Sequence, residues 1–207
     1  MNATDDRAHK GSHYYHADSG ACAAIQTEVL SALGRNSGAL SVADVACGDG
    51  TQCRLWAAQG HQVVGADVDE ALVGQARVLA RQSGLEIGFD VACASALPWA
   101  DRSMDLVLAP AALEQMDNWR ACLAELVRVL KPGGMLYLCT SRFNASGLRS
   151  QLAHHGLASL DHIDLAGLGP QGRARRAAFA LLRAVPPLRF GAYRAAPANS
   201  LLAFKAA

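Results

Sequence analysis

The sequence lacks long hydrophobic runs, paired cysteines and any strong excess of charge of one sign. No apolar run approaches the roughly 20 residues that span a bilayer, and residues 1–18 place acidic groups early without an apolar core, which predicts that no signal peptide is present. The cysteines occur singly, without a Cys-x-x-Cys pair, at positions 22, 47, 53, 93, 122 and 139. This favours reduced thiols over disulfides or a zinc site, and predicts a cytoplasmic protein.

The 207 residues suffice for a single domain with a substantial core. After a polar arm at residues 1–18, a helix is predicted at 19–33, and short apolar runs then alternate with amphipathic segments. The predicted strands are 40–47, 61–67, 85–94, 104–110 and 135–141, and the predicted helices between them are 51–59, 69–84 and 118–130. Asp69 is the predicted N-cap of the helix at 69–84, Gly84 is predicted to end it, and "KPGG" (131–134) is predicted to form a turn before the strand at 135–141. This alternation specifies an α/β fold: a Rossmann-like open sheet, mostly parallel, with helices on both faces and ligands beyond the carboxyl ends of the strands.

The glycine-containing turn "DVACGDG" (residues 44–50) follows the first predicted strand. A P-loop requires Lys followed by Ser or Thr directly after its last glycine. No lysine follows the last glycine of this turn, which argues against binding of nucleoside triphosphates. The dinucleotide fingerprint needs a third glycine where this chain has Cys53, and Asp49 would repel a pyrophosphate, so NAD or FAD is the weaker alternative. Asp44 and Asp67 end successive strands, where carboxylates suit a cationic, ribose-bearing ligand. For either residue alone, the alternative is a helix cap or a solvated charge.

Four ordered motifs carry a resemblance to a known family. They are "DVACGDG", "VVGADVDEALVGQAR", "DVACASALPWADRSMDLVLAPAALEQM" and "LAELVRVLKPGGMLYL", which cover roughly residues 40–141. In this order they resemble the class I S-adenosylmethionine-dependent methyltransferases of the small-molecule type, related to the quinone C-methyltransferases. The resemblance implies S-adenosylmethionine as methyl donor, S-adenosylhomocysteine as product, and these cofactor-binding residues: Asp44, Ala46, Gly48, Gly50, Asp67, Val68, Cys93, Ala94, Leu97 and Ala109.

The resemblance also implies a domain organisation. A sheet of seven strands is expected, with the last strand, at 199–206, running antiparallel to the others. Residues 1–18 would form a flexible arm or lid, 19–141 the cofactor-binding core, and 142–207 a substrate-side segment that includes the last strand.

Two positions depart from the family pattern. Ala46 stands where a glycine is usual, and its methyl group is tolerated at small cost if its backbone φ angle stays negative. Cys93 stands where an acidic residue usually accepts a hydrogen bond from the adenine amino group. A thiol is a weak acceptor, so a bond worth ~1.5–3 kcal/mol is weakened or missing. We therefore expect weaker cofactor binding, without its loss.

The predicted function is methyl transfer from S-adenosylmethionine to a small, possibly apolar or aromatic, acceptor. Such a displacement needs alignment and exclusion of water, and a base only if the acceptor must lose a proton. Candidates for contact with the acceptor are Tyr15, His16 and Glu114. Two alternatives stay open: a weak or inactive relative of this fold that acts through a partner, and an NAD-dependent reductase. The acceptor, the methylated atom and the oligomeric state are not predicted.

Acidic residues are absent after Asp164, which leaves the C-terminal part strongly basic. Arg173, Arg176 and Arg183 share one face of a predicted helix, so residues 173–194 suit an anionic or lipid-like acceptor or a weak contact with an acidic membrane surface. The alternative is a solvated helix that covers the sheet. The net charge of +1 and the sequence "LAP" at 108–110 argue against a nucleic-acid substrate. The histidines of the arm have helical spacing, but they lack the companions of a metal site, so none is predicted.

Overall fold

The computed structural model describes residues 38–110, 118–140, 145–159, 163–164 and 199–205, and single residues at 22, 23, 25, 26, 29, 30, 113 and 116. Within these residues the order of elements is β1 (Ser41–Val45), α1 (Thr51–Ala57), β2 (Gln62–Asp67), α2 (Glu70–Gln82), β3 (Ile87–Val91), β4 (Met104–Pro110), α3 (Trp119–Val129), β5 (Leu130–Thr140), α4 (Ala145–His154), β6 (Leu157–Ser159), β7 (Ile163–Asp164) and β8 (Asn199–Lys205). The described residues between 22 and 30 are helical, as expected from the pattern there. None of the described helices has the length and apolar character that a membrane crossing requires.

The strands form one open sheet in the order β3-β2-β1-β4-β5-β8-β6, with β7 also paired to β8. The first five strands are parallel, and β1 lies between β2 and β4. Chain order therefore reverses at β1, which opens a crevice at the carboxyl ends of β1 and β4, the place where open α/β sheets bind ligands. The α/β class predicted from the alternation of elements is confirmed.

Both faces of the sheet are buried, and neighbouring residues on each strand alternate between them. Val42 belongs to one core cluster and Ala43 to the other, and the same alternation separates Leu106 from Val107 and Tyr137 from Leu138. One cluster packs beneath α1 and α2 around Trp56, and the other packs beneath α3 and α4. Burial on both faces explains why the strands read as nearly continuous apolar runs.

The helix ends follow the capping expected from the sequence. Asp69 Oδ1 accepts hydrogen bonds from the backbone N–H groups of Ala71 and Leu72 at 2.9 and 3.1 Å, which caps α2 as predicted. At its other end, Gly84 has a positive φ of 65° and stops the helix. Asn118 precedes α3, and its side-chain oxygen lies 3.5 Å from the backbone nitrogen of Ala121.

The segment "KPGG" differs from the turn predicted there. It lies within β5, which begins at Leu130 rather than at residue 135. The ladder pairs Met104 with Leu130 and Leu106 with Met135, so Lys131–Gly134 form a bulge opposite Asp105. Lys131 Nζ lies 2.9 Å from the carboxylate of Asp105, which fastens the bulge to β4.

The far edge of the sheet carries one strand segment more than expected. The last strand, β8, runs antiparallel to β5 over Asn199–Lys205. Its outer side pairs with β6 at one end, where Leu157 faces Lys205, and with β7 at the other, where Ile163 faces Ser200. These described segments bring the sheet to eight strands instead of seven, because two short pieces share one edge of β8. The proposed lid at residues 1–18 and the basic segment 173–194 lie outside the described residues.

Candidate functional site

The carboxyl ends of β1 and β2 lie side by side. Asp44 of β1 pairs with Gly65 of β2, and Val45 pairs with Ala66. The chain then turns sharply, and the backbone N–H of Cys47 donates to the carbonyl of Ala66 at 3.1 Å. The glycine turn is thereby held against the end of β2, next to Asp67.

Three residues of the turn adopt left-handed backbone conformations: Ala46 with φ 61°, Gly48 with 54° and Gly50 with 73°. The expectation of a small cost at Ala46 depended on a negative φ. Because φ is positive in the structure, that expectation is wrong. A left-handed conformation brings the Cβ of an L-residue close to the following carbonyl oxygen, at a cost of roughly 1–2 kcal/mol. The family's usual glycine avoids that cost, so this chain stores strain at the mouth of the crevice.

The two glycines of the turn serve different purposes. A Cβ added to Gly48 would meet no atom within 4 Å, so the backbone there faces open space. A Cβ added to Gly50 would lie 2.8 Å from Cζ of Phe89 and 3.1 Å from Cβ of Ala76, so α1 begins directly against the packed core. Gly48 suits the close approach of a ligand, whereas Gly50 serves packing.

Asp67 connects the glycine turn to the start of α2. Its Oδ2 accepts a hydrogen bond from the backbone N–H of Gly48 at 2.9 Å, and its Oδ1 accepts one from the N–H of Asp69 at 3.0 Å. A carboxylate has about four acceptor positions, so two remain for a ligand's hydroxyl groups. Val68 follows directly and is 51% exposed, which is unusual for an apolar residue at the end of a buried strand.

Asp44 lies beneath the turn and is 2% exposed. Burial raises the pKa of its carboxyl from 3.8 to about 7, the hydrogen bond from Cys53 opposes the rise, and the charges of Asp67 and Asp49 add to it. The Sγ of Cys53 is 3.3 Å from Oδ2 of Asp44. The buried carboxyl is therefore balanced between its two protonation states near neutral pH, and a cation in the crevice would favour the charged form.

The position of the dinucleotide family's third glycine is filled by a buried side chain. Cys53 is fully buried, and burial is the main reason that the pKa of its thiol is raised. Room for it comes from Gly65, since a Cβ there would lie 2.9 Å from the sulfur atoms of both Cys47 and Cys53. Gly65 was not among the residues predicted for the site, although a glycine in the middle of a buried strand signals a close approach from a neighbouring element.

Asp49, inside the turn, takes part in a local network that the sequence did not reveal. Its Oδ1 accepts from the backbone N–H of Thr51 at 3.0 Å and from the Thr51 hydroxyl at 2.7 Å. Arg54 donates to the carbonyl of Asp49 at 2.7 Å and to the Thr51 hydroxyl at 3.0 Å. Next in the chain, the amide of Gln52 is buried and has no hydrogen-bond partner in the described part of the chain.

The segment after β3 borders the crevice on the next side. Cys93 is exposed, and its sulfur lies 3.1 Å from the hydroxyl oxygen of Ser95. Ala94 and Leu97 are 4% and 6% exposed and belong to the core cluster under α3, as does Ala109 near the end of β4. The backbone N–H of Ala92 donates to the carbonyl of Asp67 at 2.9 Å, which joins this segment to the end of β2.

The structure thus brings most of the predicted cofactor residues to one edge of the sheet. The three candidates for contact with the acceptor, Tyr15, His16 and Glu114, lie outside the described residues. Within the described residues, no group of three His, Cys, Asp or Glu side chains has a geometry suited to a metal ion.

The fold defines a Rossmann-like α/β domain with a crevice at the switch in strand order. Residues 43–138 match the family described as "Methyltransferase domain". Over this segment, which is just under half of the chain, the sequence is similar to a methyltransferase domain.

Two curated relatives are similar to this chain over part of its length. The ubiquinone biosynthesis O-methyltransferase of Sinorhizobium medicae is 33% identical over 101 residues, 49% of this chain and 41% of that protein. That of Agrobacterium fabrum is 31% identical over 122 residues, 56% of this chain and 49% of that protein. The chain thus spans less than half the length of these two curated relatives.

Two solved structures show the same fold. Magnesium protoporphyrin IX methyltransferase from Synechocystis, determined with bound S-adenosylmethionine, superposes with a TM-score of 0.70 at 14% identity and full coverage of both chains. The [4+2]-cyclase SpnF superposes with a TM-score of 0.66 at 25% identity, over 89% of this chain and 81% of its own.

Proposed function

We propose that this protein transfers a methyl group from S-adenosylmethionine to a small-molecule acceptor. The observation that carries the proposal is the position of Asp67, whose carboxylate is fixed by the Gly48 and Asp69 N–H groups while it keeps two acceptor positions for ribose hydroxyls. The space beside Gly48 supports the fit, because only a residue without a side chain leaves backbone open to a ligand there.

Each predicted cofactor-binding residue other than Cys93 receives a role in this proposal. Asp67 binds the ribose, exposed Val68 packs on one side of the adenine, and Ala94 and Leu97 border it from the next segment. The backbone of Ala46–Gly50 faces the methionine part, and buried Asp44 places negative charge beneath it. Ala109 closes the crevice from β4.

S-adenosylmethionine supplies an electrophilic methyl group on a sulfonium, with a neutral thioether as leaving group. The protein's own residues therefore have to align the acceptor and exclude water rather than form a covalent intermediate. If the acceptor is a hydroxyl, a base must take its proton, and Tyr15, His16 and Glu114 are the candidates for that role or for orienting the acceptor.

For the acceptor, we propose an apolar or aromatic small molecule with a hydroxyl group. The support is the similarity to the O-methyltransferases of ubiquinone biosynthesis. The basic segment 173–194 would favour an anionic or lipid-like form of it.

The first test is calorimetry with S-adenosylmethionine and S-adenosylhomocysteine, and the absence of binding at millimolar ligand would refute the proposal. The second is the substitution Cys93→Asp. A charged acceptor for the adenine amino group should tighten binding about tenfold. This is the low end of the free-energy range for hydrogen bonds to charged groups, and we choose it because position 93 is exposed. Cys93→Ser supplies a neutral acceptor and is the comparison, for which we expect a smaller gain than for Cys93→Asp.

A second candidate function is a protein of this fold that binds the cofactor weakly and works through a partner. It is favoured by strained Ala46 and by the thiol at Cys93. The likeness to SpnF, a [4+2]-cyclase, supports the view that this fold serves reactions other than methylation. Binding of S-adenosylhomocysteine without methyl transfer to any hydroxylated aromatic in a panel would favour this candidate. Preferential binding of NADH would instead favour a reductase.

A further inference from the structure

The segment Ala92–Ser103, between β3 and β4, is hydrogen-bonded to two charged residues of α3. Glu125 and Arg128 lie one turn apart and form an ion pair, with Nε of Arg128 2.7 Å from Oε1 of Glu125 and Nη2 2.8 Å from Oε2. The guanidinium mainly accounts for a lowered pKa of the Glu125 carboxyl, and Glu125 in turn raises the pKa of Arg128. Both groups therefore carry their charges at neutral pH.

The ion pair holds the backbone of Leu97 on both sides of the residue. The N–H of Leu97 donates to Oε2 of Glu125 at 2.8 Å, and its carbonyl accepts from Nη2 of Arg128 at 3.0 Å. Leu97 is one of the residues proposed to border the adenine.

Arg128 also holds the part of the segment that follows Leu97. Its Nη1 donates to the carbonyl of Trp99 at 2.8 Å and to Oδ1 of Asp101 at 2.7 Å. With the contacts to Glu125 and Leu97, all five N–H donors of the guanidinium are used. The planar, forked arrangement is specific to arginine, because a lysine ammonium has three donors at one point.

Further bonds close the segment against its surroundings. The backbone N–H of Arg102 donates to the carbonyl of Arg128 at 2.9 Å, and the indole N–H of Trp99 donates to Oδ2 of Asp90 at 3.1 Å. Each bond ties the segment to a neighbouring element, but only the Glu125–Arg128 pair contacts the backbone of Leu97 among the hydrogen bonds of the described residues.

We propose that Glu125 and Arg128 are positioning residues that set the affinity for the adenine end of the cofactor by holding the backbone of Leu97 and the residues around it. This inference rests on the proposed function. Both residues bond to the segment Ala92–Ser103, and we propose that they act on the crevice through it. If loss of the pair leaves the segment in its binding arrangement for about a tenth of the time, the apparent dissociation constant rises about tenfold.

The experiment compares the full-length protein with Arg128→Met, which keeps the apolar stem but loses every donor, and with Arg128→Lys, which keeps the charge. The control is Lys131→Met, which removes a different ion pair, with Asp105, and leaves Ala92–Ser103 untouched. Two quantities are measured for each protein: the affinity for S-adenosylhomocysteine, by calorimetry, and the hydrogen-exchange rates of the amides between residues 94 and 103 without ligand.

We expect Arg128→Met to weaken binding about tenfold and to speed exchange of the Leu97 amide by a similar factor. Arg128→Lys should restore little of either, and Lys131→Met should change neither. Unchanged affinity despite faster exchange would overturn the inference, and so would an equal loss in Lys131→Met. If Arg128→Met does not fold, Glu125→Gln weakens the same contacts and must give the same paired result.

The outcome for the parent protein separates the two proposals. If the parent binds neither S-adenosylmethionine nor S-adenosylhomocysteine, the proposed function fails and the positioning role fails with it. If the parent binds and Arg128→Met binds equally well, only the positioning role fails.

Discussion

Replacing Ala46 by glycine should stabilise the protein, which is the opposite of what the substitution does at most positions. Ala46 has φ 61° and is exposed, so removal of its methyl group relieves strain and leaves no cavity. The relieved strain is roughly 1–2 kcal/mol. Greater freedom of glycine in the unfolded chain opposes this by about 0.4–1 kcal/mol. The expected net gain in the free energy of unfolding is therefore about 1 kcal/mol.

The measurement is urea unfolding followed by circular dichroism, with thermal unfolding as a second readout. For a chain of this size, a gain of about 1 kcal/mol raises the melting temperature by roughly 2–4 °C. Ala58→Gly is the matched control, because Ala58 is also exposed but has φ −62°. There the same exchange should destabilise by about 0.5–1 kcal/mol. Equal effects of both substitutions would refute the reasoning from backbone strain.

Two further predictions concern the same turn. Because burial raises the pKa of Asp44 from 3.8 to about 7, the folded state retains a proton that the unfolded state has lost, so the free energy of unfolding should fall as the pH rises from 4 to 7. The loss is on the order of 4 kcal/mol and is complete above pH 7. Asp44→Asn should reduce this dependence on pH, measured as the difference in free energy of unfolding between denaturant titrations at pH 5 and pH 8. An unchanged difference would contradict the raised pKa of Asp44. Gly50→Ala should cost about 2–4 kcal/mol, since it adds overlap with Phe89 to backbone strain, whereas Gly48→Ala adds strain alone and should cost about 1–2 kcal/mol. Equal losses in thermal unfolding would count against the packing role of Gly50.

The elements that the sequence predicted well are those with strong periodicity and capping residues. Strand β4 begins and ends at the predicted residues, and Asp69 caps α2 as expected. Both depend on local information: an apolar run with a fixed period and a side chain that reaches the next turn. Asp67 was predicted to end the second strand, and it is the last residue of β2.

The features that escaped prediction depend on contacts between distant residues. The bulge at "KPGG" arises from pairing with β4, and a local reading of Pro and Gly predicts only a turn. The left-handed conformation of Ala46 follows from the need to join β1 to α1 in few residues, and no property of alanine signals it. Gly65 makes room for two sulfur atoms from another element, so its role appears only when the strands are packed.

The hydrogen bonds from Glu125 and Arg128 to the backbone of Leu97 were not predicted, for a similar reason. Glu125 and Arg128 have the spacing of an ordinary helical ion pair on a solvated face. Their contacts with a segment nearly thirty residues earlier in the chain depend on how α3 packs against the sheet. A charged pair at helical spacing gives no sign of such contacts in the sequence.

The divided strand at the edge of β8 has a consequence for how copies of this protein behave in solution. A long, flat edge strand offers a row of free N–H and C=O groups on which a second chain can form a cross-chain sheet, and short edge strands are one way in which proteins avoid this. Leu157–Ser159 and Ile163–Asp164 are three and two residues long, and their pairings with β8 differ in register by one position. Neither piece has enough consecutive backbone N–H and C=O groups to pair with a strand of another chain. We therefore expect this edge to resist aggregation because its strands are short.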